Sequence, residues 1–354
     1  MTILEQTLSR IAPADPEARA RARRRLEQLT MPHWALGRLM DLAEDLAGMT
    51  GRMPPHVAGK TVVTMAADHG VASSGVSLYP REVTVQMVRN FVGGGAAINV
   101  LARLAGARVV VVDMGVDGDL GDLAREGRIL SRRVGSGTQD ISRGPAMSRD
   151  QAVRSLEEGI GVALELAEET DVFATGDMGI GNTTPSSALV SVFSGADAAE
   201  ATGRGTGIGD EQLARKVAVV RQAIEANRPD PADPVGVLAA VGGFEIGGIA
   251  GLILGAASRR KPVLVDGFIS TAGALVAARL APVSTQYMIA SHRSMEQGHR
   301  IALQALGKRP LLDLDLRLGE GTGAALAMNL VEAAVRILTE MATFEEAAVS
   351  RSPA

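Results

Sequence analysis

The chain has 354 residues, a net charge of −4, no cysteine, and 46% apolar residues of which few are aromatic. That length supports one large α/β domain or two smaller ones around an aliphatic core. The charge leaves no basic excess for nucleic acid, and the missing thiols exclude disulfides, thiolate catalysis and cysteine metal sites.

The first twenty residues hold no long apolar segment, and no run of 18 apolar residues occurs anywhere. The expectation is a soluble cytoplasmic protein that does not enter a membrane. Asp15-Pro16-Glu17 is a helix start with proline at the first helical position. The arginines that follow (Arg19, Arg21, Arg23, Arg24, Arg25) are diluted by Glu17 and Glu27, and so read as a solvated face rather than a nucleic-acid patch. Leu36, Leu39, Leu42 and Leu46 mark a second helix.

From residue 60 the pattern changes to short apolar runs that end in glycine or a carboxylate. Lys60 to Ala67 is a buried strand ending at Asp68-His69-Gly70. A helical segment from Glu82 to Leu104 is interrupted by Gly93-Gly94-Gly95, and Arg108 to Val112 is a strand ending at Asp113. Ser148 and Gln151 form a capping box for a helix reaching about Glu169. Asp171 to Thr175 is a strand, followed by the loop Gly176 to Thr184, after which Pro185 opens a helix. A helix from Asp210 to Ala226 carries Lys216 and leads into a proline-rich turn at 229–234. Gly242-Gly243 precedes a small-residue helix, Phe244 to Ala257, whose glycines imply close packing against the sheet or a partner. Lys261 to Val265 is a strand ending at Asp266-Gly267, and Gln286 to Ala290 is a short strand ending at Ser291-His292. In the last segment Leu312, Leu314, Leu316 and Leu318 alternate with Asp313, Asp315 and Arg317, the period of a sixth strand. Gly319-Glu320-Gly321-Thr322-Gly323 then makes a tight turn into an apolar helix.

Apolar runs alternating with helices predict a doubly wound, mostly parallel, six-stranded Rossmann-like sheet. Residues 56–324 form the α/β catalytic domain in this reading. Residues 1–55 and 325–354 form a small helical lobe. Ligands of such sheets bind at the carboxyl ends of the strands, where Asp68, Asp113, Asp177, Asp266, Ser291-His292 and Glu320 stand. No GxGxxG or GxxxxGK[ST] motif occurs, so neither a dinucleotide cofactor nor a P-loop is supported. The loop Gly176-Asp177-Met178-Gly179-Ile180-Gly181-Asn182-Thr183-Thr184 suits a phosphate or ribose, through backbone N–H groups and the Thr183 and Thr184 hydroxyls. Asp68-His69 reads equally as a catalytic dyad or a structural histidine. Asp313 and Asp315 read as a cation site or as solvated carboxylates. No His-x-x-x-His pair suggests zinc. The residues alone therefore support an enzyme acting on a phosphorylated, sugar-like small molecule with carboxylates in its site.

Seven stretches resemble one family: AADHGV (66–71), YPREVT (79–84), GPAMSR (144–149), GDMGIGNTTPSSALVSVFSG (176–195), VGGFEIGGIAGLILGAA (241–257), PVLVDGFIS (262–270) and RLGEGTGAALAM (317–328). The family is nicotinate-nucleotide–dimethylbenzimidazole phosphoribosyltransferase, which makes the lower-ligand nucleotide of cobalamin. The resemblance implies that 5,6-dimethylbenzimidazole displaces nicotinate from nicotinate mononucleotide, with inversion at the anomeric carbon and without metal or cofactor. It assigns Glu320 as general base and Asp177 as a stabiliser of the ribosyl cation or a back-up base. Lys216 becomes the phosphate ligand. Gly176, Gly179, Asn182, Thr183, Gly205 and Ser291 become the phosphate and ribose lining, and Tyr79, Pro80, Gln86, Met178 and Leu318 the aryl pocket. It also implies a homodimer. Two departures stand out: Met31-Pro32-His33-Trp34-Ala35-Leu36-Gly37 lacks the Lys and Ser common in relatives, and Tyr79 is bulkier than the residue some relatives carry there. An N-ribosyl hydrolase and a non-catalytic nucleotide sensor are the alternative readings.

Overall fold

The computed structural model describes residues 1–350. Helices α1 (Ile3–Arg10), α2 (Pro16–Leu26) and α3 (Arg38–Thr50) precede strand β1 (Lys60–Ala67). Helices α4 (Val83–Gly93) and α5 (Ala97–Ala105) lead to β2 (Arg108–Gly115), and α6 (Gly121–Arg125) to β3 (Leu130–Ser131). Helix α7 (Arg149–Leu166) returns to β4 (Val172–Met178). Then come α8 (Thr183–Ser194), α9 (Ala198–Ala201), α10 (Asp210–Asn227), α11 (Pro234–Val241) and α12 (Phe244–Ser258), followed by β5 (Val263–Val265). Helix α13 (Phe268–Leu280) connects to β6 (Met288–Ala290), and α14 (Gln297–Ala305) and α15 (Thr322–Glu340) end the chain.

The strands lie in the order β3-β2-β1-β4-β5-β6, and every pairing is parallel. Chain direction across the sheet reverses between β1 and β4, which opens a crevice at their carboxyl ends. Successive side chains of β1 enter opposite cores: Val63, Met65 and Ala67 one, Val62 and Ala66 the other. All eight residues of β1 are buried, which is why its sequence reads as one apolar run rather than an alternation.

Six strands are present, but the sixth is not the one read from the leucine alternation. Residues 311–318 join the sheet edge at their start alone, where the Leu311 N–H donates to the Ala290 carbonyl at the end of β6 and Leu312 bridges His292; beyond that, Leu316 only accepts from the Met295 N–H. A positive φ at Asp315 (54°) breaks the extension, and Leu314 and Leu318 are 55% and 59% exposed. The period of two belongs to an extended loop without a buried face. The true sixth strand, β3, has two residues, too few to carry a pattern. The strand expected at 286–290 starts at Met288 because Pro282–Tyr287 forms a 3-10 turn.

Helix α12 packs on α7 and on four strands of its own sheet, so its glycines serve contacts inside the chain. A Cβ at Gly251 would collide with the Leu156 carbonyl, and one at Gly159 with the Gly248 carbonyl. The two helices cross backbone to backbone. On the other face α15 lies on β1, β4 and β5, and α2 and α3 pack on α15, whereas α1 lies against α7 and α12. Helix α15 has the length and hydropathy of a membrane span, but its apolar residues Ala324, Met328, Val331 and Leu338 are core.

Candidate active site

A cavity of about 490 Å³ opens at the crevice where strand order reverses. It gathers residues from the ends of β4, β5 and β6, from the start of α4 and from the turn before α15. Of the predicted residues, Tyr79, Asp177, Met178, Gly179, Asn182, Thr183, Gly205, Leu318 and Glu320 line it.

The Glu320 turn is held by three consecutive left-handed residues, Gly319, Glu320 and Gly321 (φ 83°, 63° and 99°). Glycine adopts this conformation freely; a glutamate there is strained and must be held by its surroundings. The Glu320 carbonyl accepts from Thr64 Oγ1 at 2.9 Å, and its N–H donates to the Asp177 carbonyl at 3.3 Å. Gly176 makes this seating possible, because a Cβ there would strike the Glu320 carbonyl. Gly176 is thus a packing position in β4 and not part of the cavity wall. Glu320 Oε2 accepts from the Ile98 N–H at 3.2 Å. Burial raises the Glu320 pKa, the Ile98 hydrogen bond opposes that rise, and the Asp266 charge adds to it.

Asp177 is buried, with Oδ2 accepting from Asn182 Nδ2 at 3.0 Å and Oδ1 without a partner among the described residues. Burial, then the nearby charges of Asp266, Glu245 and Glu320, push its pKa well above the usual carboxylate range. Asp266 accepts from the amides of Ala324 (2.9 Å) and Gly321 (3.3 Å) and so caps α15. His292 lies 3.7 Å from it and lines the cavity.

Beside Asp177 lies the start of α8. Its N-cap residue, Asn182, spends its side chain on Asp177; the Thr184 N–H donates to the Gly181 carbonyl at 3.0 Å and Pro185 has no N–H, which leaves the Thr183 N–H for a ligand. Behind Thr183 and Gly205, the wholly buried Lys216 donates to Thr183 Oγ1 at 2.8 Å and to the Gly203 carbonyl at 3.1 Å. Burial lowers its pKa to about 8, against the pull of Glu296. A helix-start N–H beside a buried ammonium is suited to an anion. Val76, Val83, Met87, Met178, Phe268 and Leu318 form an apolar wall, while Glu296 and Arg317 add charged groups to the lining.

Not every predicted residue reaches the cavity. Pro80 and Gln86 are exposed outside it, and Gln86 lines a separate surface groove with Arg81 and Asp117. One turn of α4 presents Val83 and Met87 to the cavity instead. Ser291 is buried, 3.1 Å from its neighbour His292, which takes the lining position. Thr184 is buried away from the cavity, whereas Thr183 faces it. Asp68 and Asp113 satisfy their own loops: Asp68 accepts from Thr84 Oγ1 and the Asp117 amide, Asp113 from the amides of Gly115 and Val116. His69 pairs with Glu245 at 2.8 Å beneath Gly179, so Asp68 and His69 are not a dyad. Asp313 forms a surface ion pair with Arg293, not a cation site. Among the described residues no group of three or more acidic or histidine side chains is placed to hold a metal. Sequence reasoning placed His292 at a strand end without giving it a role, and it missed Met87, Glu296 and Arg317 as lining residues; only the i, i+4 spacing of Val83 and Met87 offered a signal.

The family model DBI_PRT, described as phosphoribosyltransferase, matches residues 11–349. A Syntrophotalea carbinolica protein named nicotinate-nucleotide–dimethylbenzimidazole phosphoribosyltransferase is 62% identical over 351 residues, 99% of both chains. One of the same name from Desulfotalea psychrophila is 55% identical, also over 99% of both. The crystal structure of CobT from Thermus thermophilus superposes with a TM-score of 0.91 at 49% identity, covering 95% of this chain and all of that one.

Proposed function

The chain belongs to the nicotinate-nucleotide–dimethylbenzimidazole phosphoribosyltransferase family, and from that premise we propose how its cavity performs the transfer. The reaction moves the phosphoribosyl group of nicotinate mononucleotide to 5,6-dimethylbenzimidazole, giving α-ribazole 5′-phosphate and nicotinate in cobalamin assembly. The observation that carries the residue assignment is the convergence of Glu320, Asp177 and the Thr183–Lys216 anion site on one cavity with an apolar wall.

The phosphate takes the Thr183 N–H at the start of α8 and the Lys216 charge, reached past Gly205 and Thr183. The benzimidazole lies against Met87, Met178 and Leu318, with Tyr79 at the mouth. Its unprotonated ring nitrogen attacks the anomeric carbon from the face opposite nicotinate. The carbon–nitrogen bond to the pyridinium breaks and its electron pair returns to the nicotinate ring, so the leaving group needs no acid. The benzimidazolium formed gives its N–H proton to Glu320, whose raised pKa suits it to that exchange near neutral pH. Asp177, set among other carboxyls while the site is empty, gains a cationic neighbour when the pyridinium binds. That charge favours its ionised form, which then faces the oxocarbenium-like carbon.

The same reading carries a homodimer working in the cytoplasm, which sedimentation and cell fractionation test. For the reaction itself, the purified protein is incubated with nicotinate mononucleotide, with and without dimethylbenzimidazole and with and without chelator. Nicotinate released only with the base, and undiminished by chelator, is the expected result. Release without the base overturns transfer in favour of hydrolysis. No release under any condition leaves a nucleotide-binding protein.

A further inference from the structure

Helix α5 begins at Ala97, and its N-cap position is Ala96, in extended conformation (φ −86°, ψ 163°). Ser, Thr, Asp or Asn ordinarily occupies that position, and its side-chain oxygen takes the N–H of the second or third helical residue. Alanine has no such oxygen. The N–H of Ile98, the second residue of the helix, donates instead to Glu320 Oε2 at 3.2 Å, across 222 positions of sequence. The turn is held by another side chain. Asn99 Oδ1 accepts from the Ala96 N–H at 3.1 Å, and its Nδ2 donates to the Phe91 carbonyl at 3.0 Å, tying the start of α5 to the end of α4.

We infer that α5 leaves its own cap empty so that its first-turn N–H at Ile98 positions the Glu320 carboxylate, with Ala96 and Asn99 as the positioning residues. The inference rests on Glu320 as the general base. Oε2 is anchored, and Oε1 carries no hydrogen bond among the described residues, so it is the oxygen left for the substrate proton. The helix terminus is also the electrostatic counterweight of the site. Glu320 faces Asp177 and Asp266 from the ends of β4 and β5, with His292 behind Asp266 and Arg317 on its own loop. The start of α5 (Ala96, Ala97, Ile98, Asn99) brings no charged side chain, only amide dipoles. Those dipoles and the hydrogen bond favour the ionised carboxylate against burial and the Asp266 charge.

The alternative is that Glu320 simply caps α5 for stability, in which case any other cap would serve as well. Two tests separate the readings. In Ala96→Ser the new hydroxyl competes for the Ile98 N–H. In Ile98→Pro the N–H is removed outright, at a first-turn position where proline is tolerated, with Ile98→Ala as the control that loses the side chain but keeps the donor. The readout is the acid limb of kcat/KM for the benzimidazole, taken per unprotonated benzimidazole, so that it reports the ionisation of the free enzyme's base. Losing the donor disfavours the ionised form, so the limb moves to higher pH by about one unit, equivalent to a roughly tenfold lower rate on that limb. The expected result is this shift in Ala96→Ser and in Ile98→Pro relative to Ile98→Ala, with the KM for nicotinate mononucleotide unchanged. A limb that stays in place in both variants overturns the inference and leaves the base assignment intact. The base assignment fails separately, through near-normal turnover in Glu320→Gln.

Discussion

Replacing Glu320 with glutamine isolates proton removal from everything else the side chain does. The residue's backbone bonds, from Thr64 Oγ1 and to the Asp177 carbonyl, do not involve the carboxylate. The glutamine amide oxygen can still accept from the Ile98 N–H, now 3.2 Å from Oε2. The left-handed φ of 63° strains either residue alike. The variant therefore folds, and because the wild-type carboxyl is buried with its pKa raised, its removal does not lower stability near neutral pH. What disappears is the acceptor for the benzimidazole proton. A general base is worth about 10²- to 10⁴-fold, or roughly 3–5 kcal/mol of barrier. Single-turnover release of nicotinate should fall by that factor, with nucleotide affinity measured by calorimetry unchanged. In wild type the rate falls as acid protonates Glu320 and the benzimidazole; in the variant only the fall set by the benzimidazole's own ring nitrogen remains. Turnover within tenfold of wild type would refute the assignment.

Asp177→Asn should slow transfer by roughly 10²-fold, the usual loss of one preorganised electrostatic contact. It should also flatten the pH dependence of stability. The folded chain keeps a proton on Asp177 that the unfolded chain releases above its ordinary pKa of 3.8, so this group's stabilisation is full below that pH and is lost as pH rises. Urea melts at pH 5 and pH 8 should differ less in the variant. Lys216→Met should raise the KM for nicotinate mononucleotide by about 10- to 100-fold at pH 7. In wild type the same KM should climb above pH 8, as the lysine loses its proton from a pKa of about 8, and in the variant it should stay flat. Gly251→Ala, which pushes α12 off the Leu156 carbonyl, should cost about 1–3 kcal/mol in chemical denaturation while leaving the KM values alone.

Five of the six strands were legible in the sequence, including β5 and the edge strand β6. β1, β2 and β4, in the middle of the sheet, were the clearest, because each lies between two helical layers and its apolar run has no competing explanation. The alternation at 312–318 has the right period and the wrong cause: Leu318 stands at the cavity mouth and Leu314 in solvent, while Asp313 is held by Arg293. Period records which side chains share a direction, not whether anything covers them. The strand ends could be collected from the sequence but not sorted. Asp68, Asp113, Asp177 and Asp266 all follow apolar runs, yet the amides of residues 115–117 take up the first two. Asp177 lines the cavity, and Asp266 caps the helix behind it. Those partners are set by how loops fold back, which no local pattern encodes. Helix phase decided the aryl wall in the same way, exchanging Gln86 for Met87. The Ile98–Glu320 bond left one trace, the absence of a capping residue at 96, visible only once the start of the helix is known.

The crowding of acids is what the chemistry requires. Asp177, Asp266, Glu245 and Glu320 influence one another in a buried space, while the buried Lys216 bonds to Thr183 Oγ1 and the Gly203 carbonyl rather than to any of them. Unpaired buried carboxylates are costly, and the protein meets that cost by amide capping at Asp266, a histidine at Glu245, a helix terminus at Glu320 and a retained proton at Asp177. Such a site favours a ligand that arrives with positive charge near the carboxyls and negative charge at the far end. A pyridinium nucleotide has that polarity. When its carbon–nitrogen bond breaks, the positive charge passes through the sugar to the incoming heterocycle, and only there does it become a removable proton. In the proposed transfer the carboxyl that stabilises the charge in transit and the one that ends its journey need different environments. The differing surroundings of Asp177, partnered by a neutral amide, and Glu320, held by a helix terminus, support that division of roles.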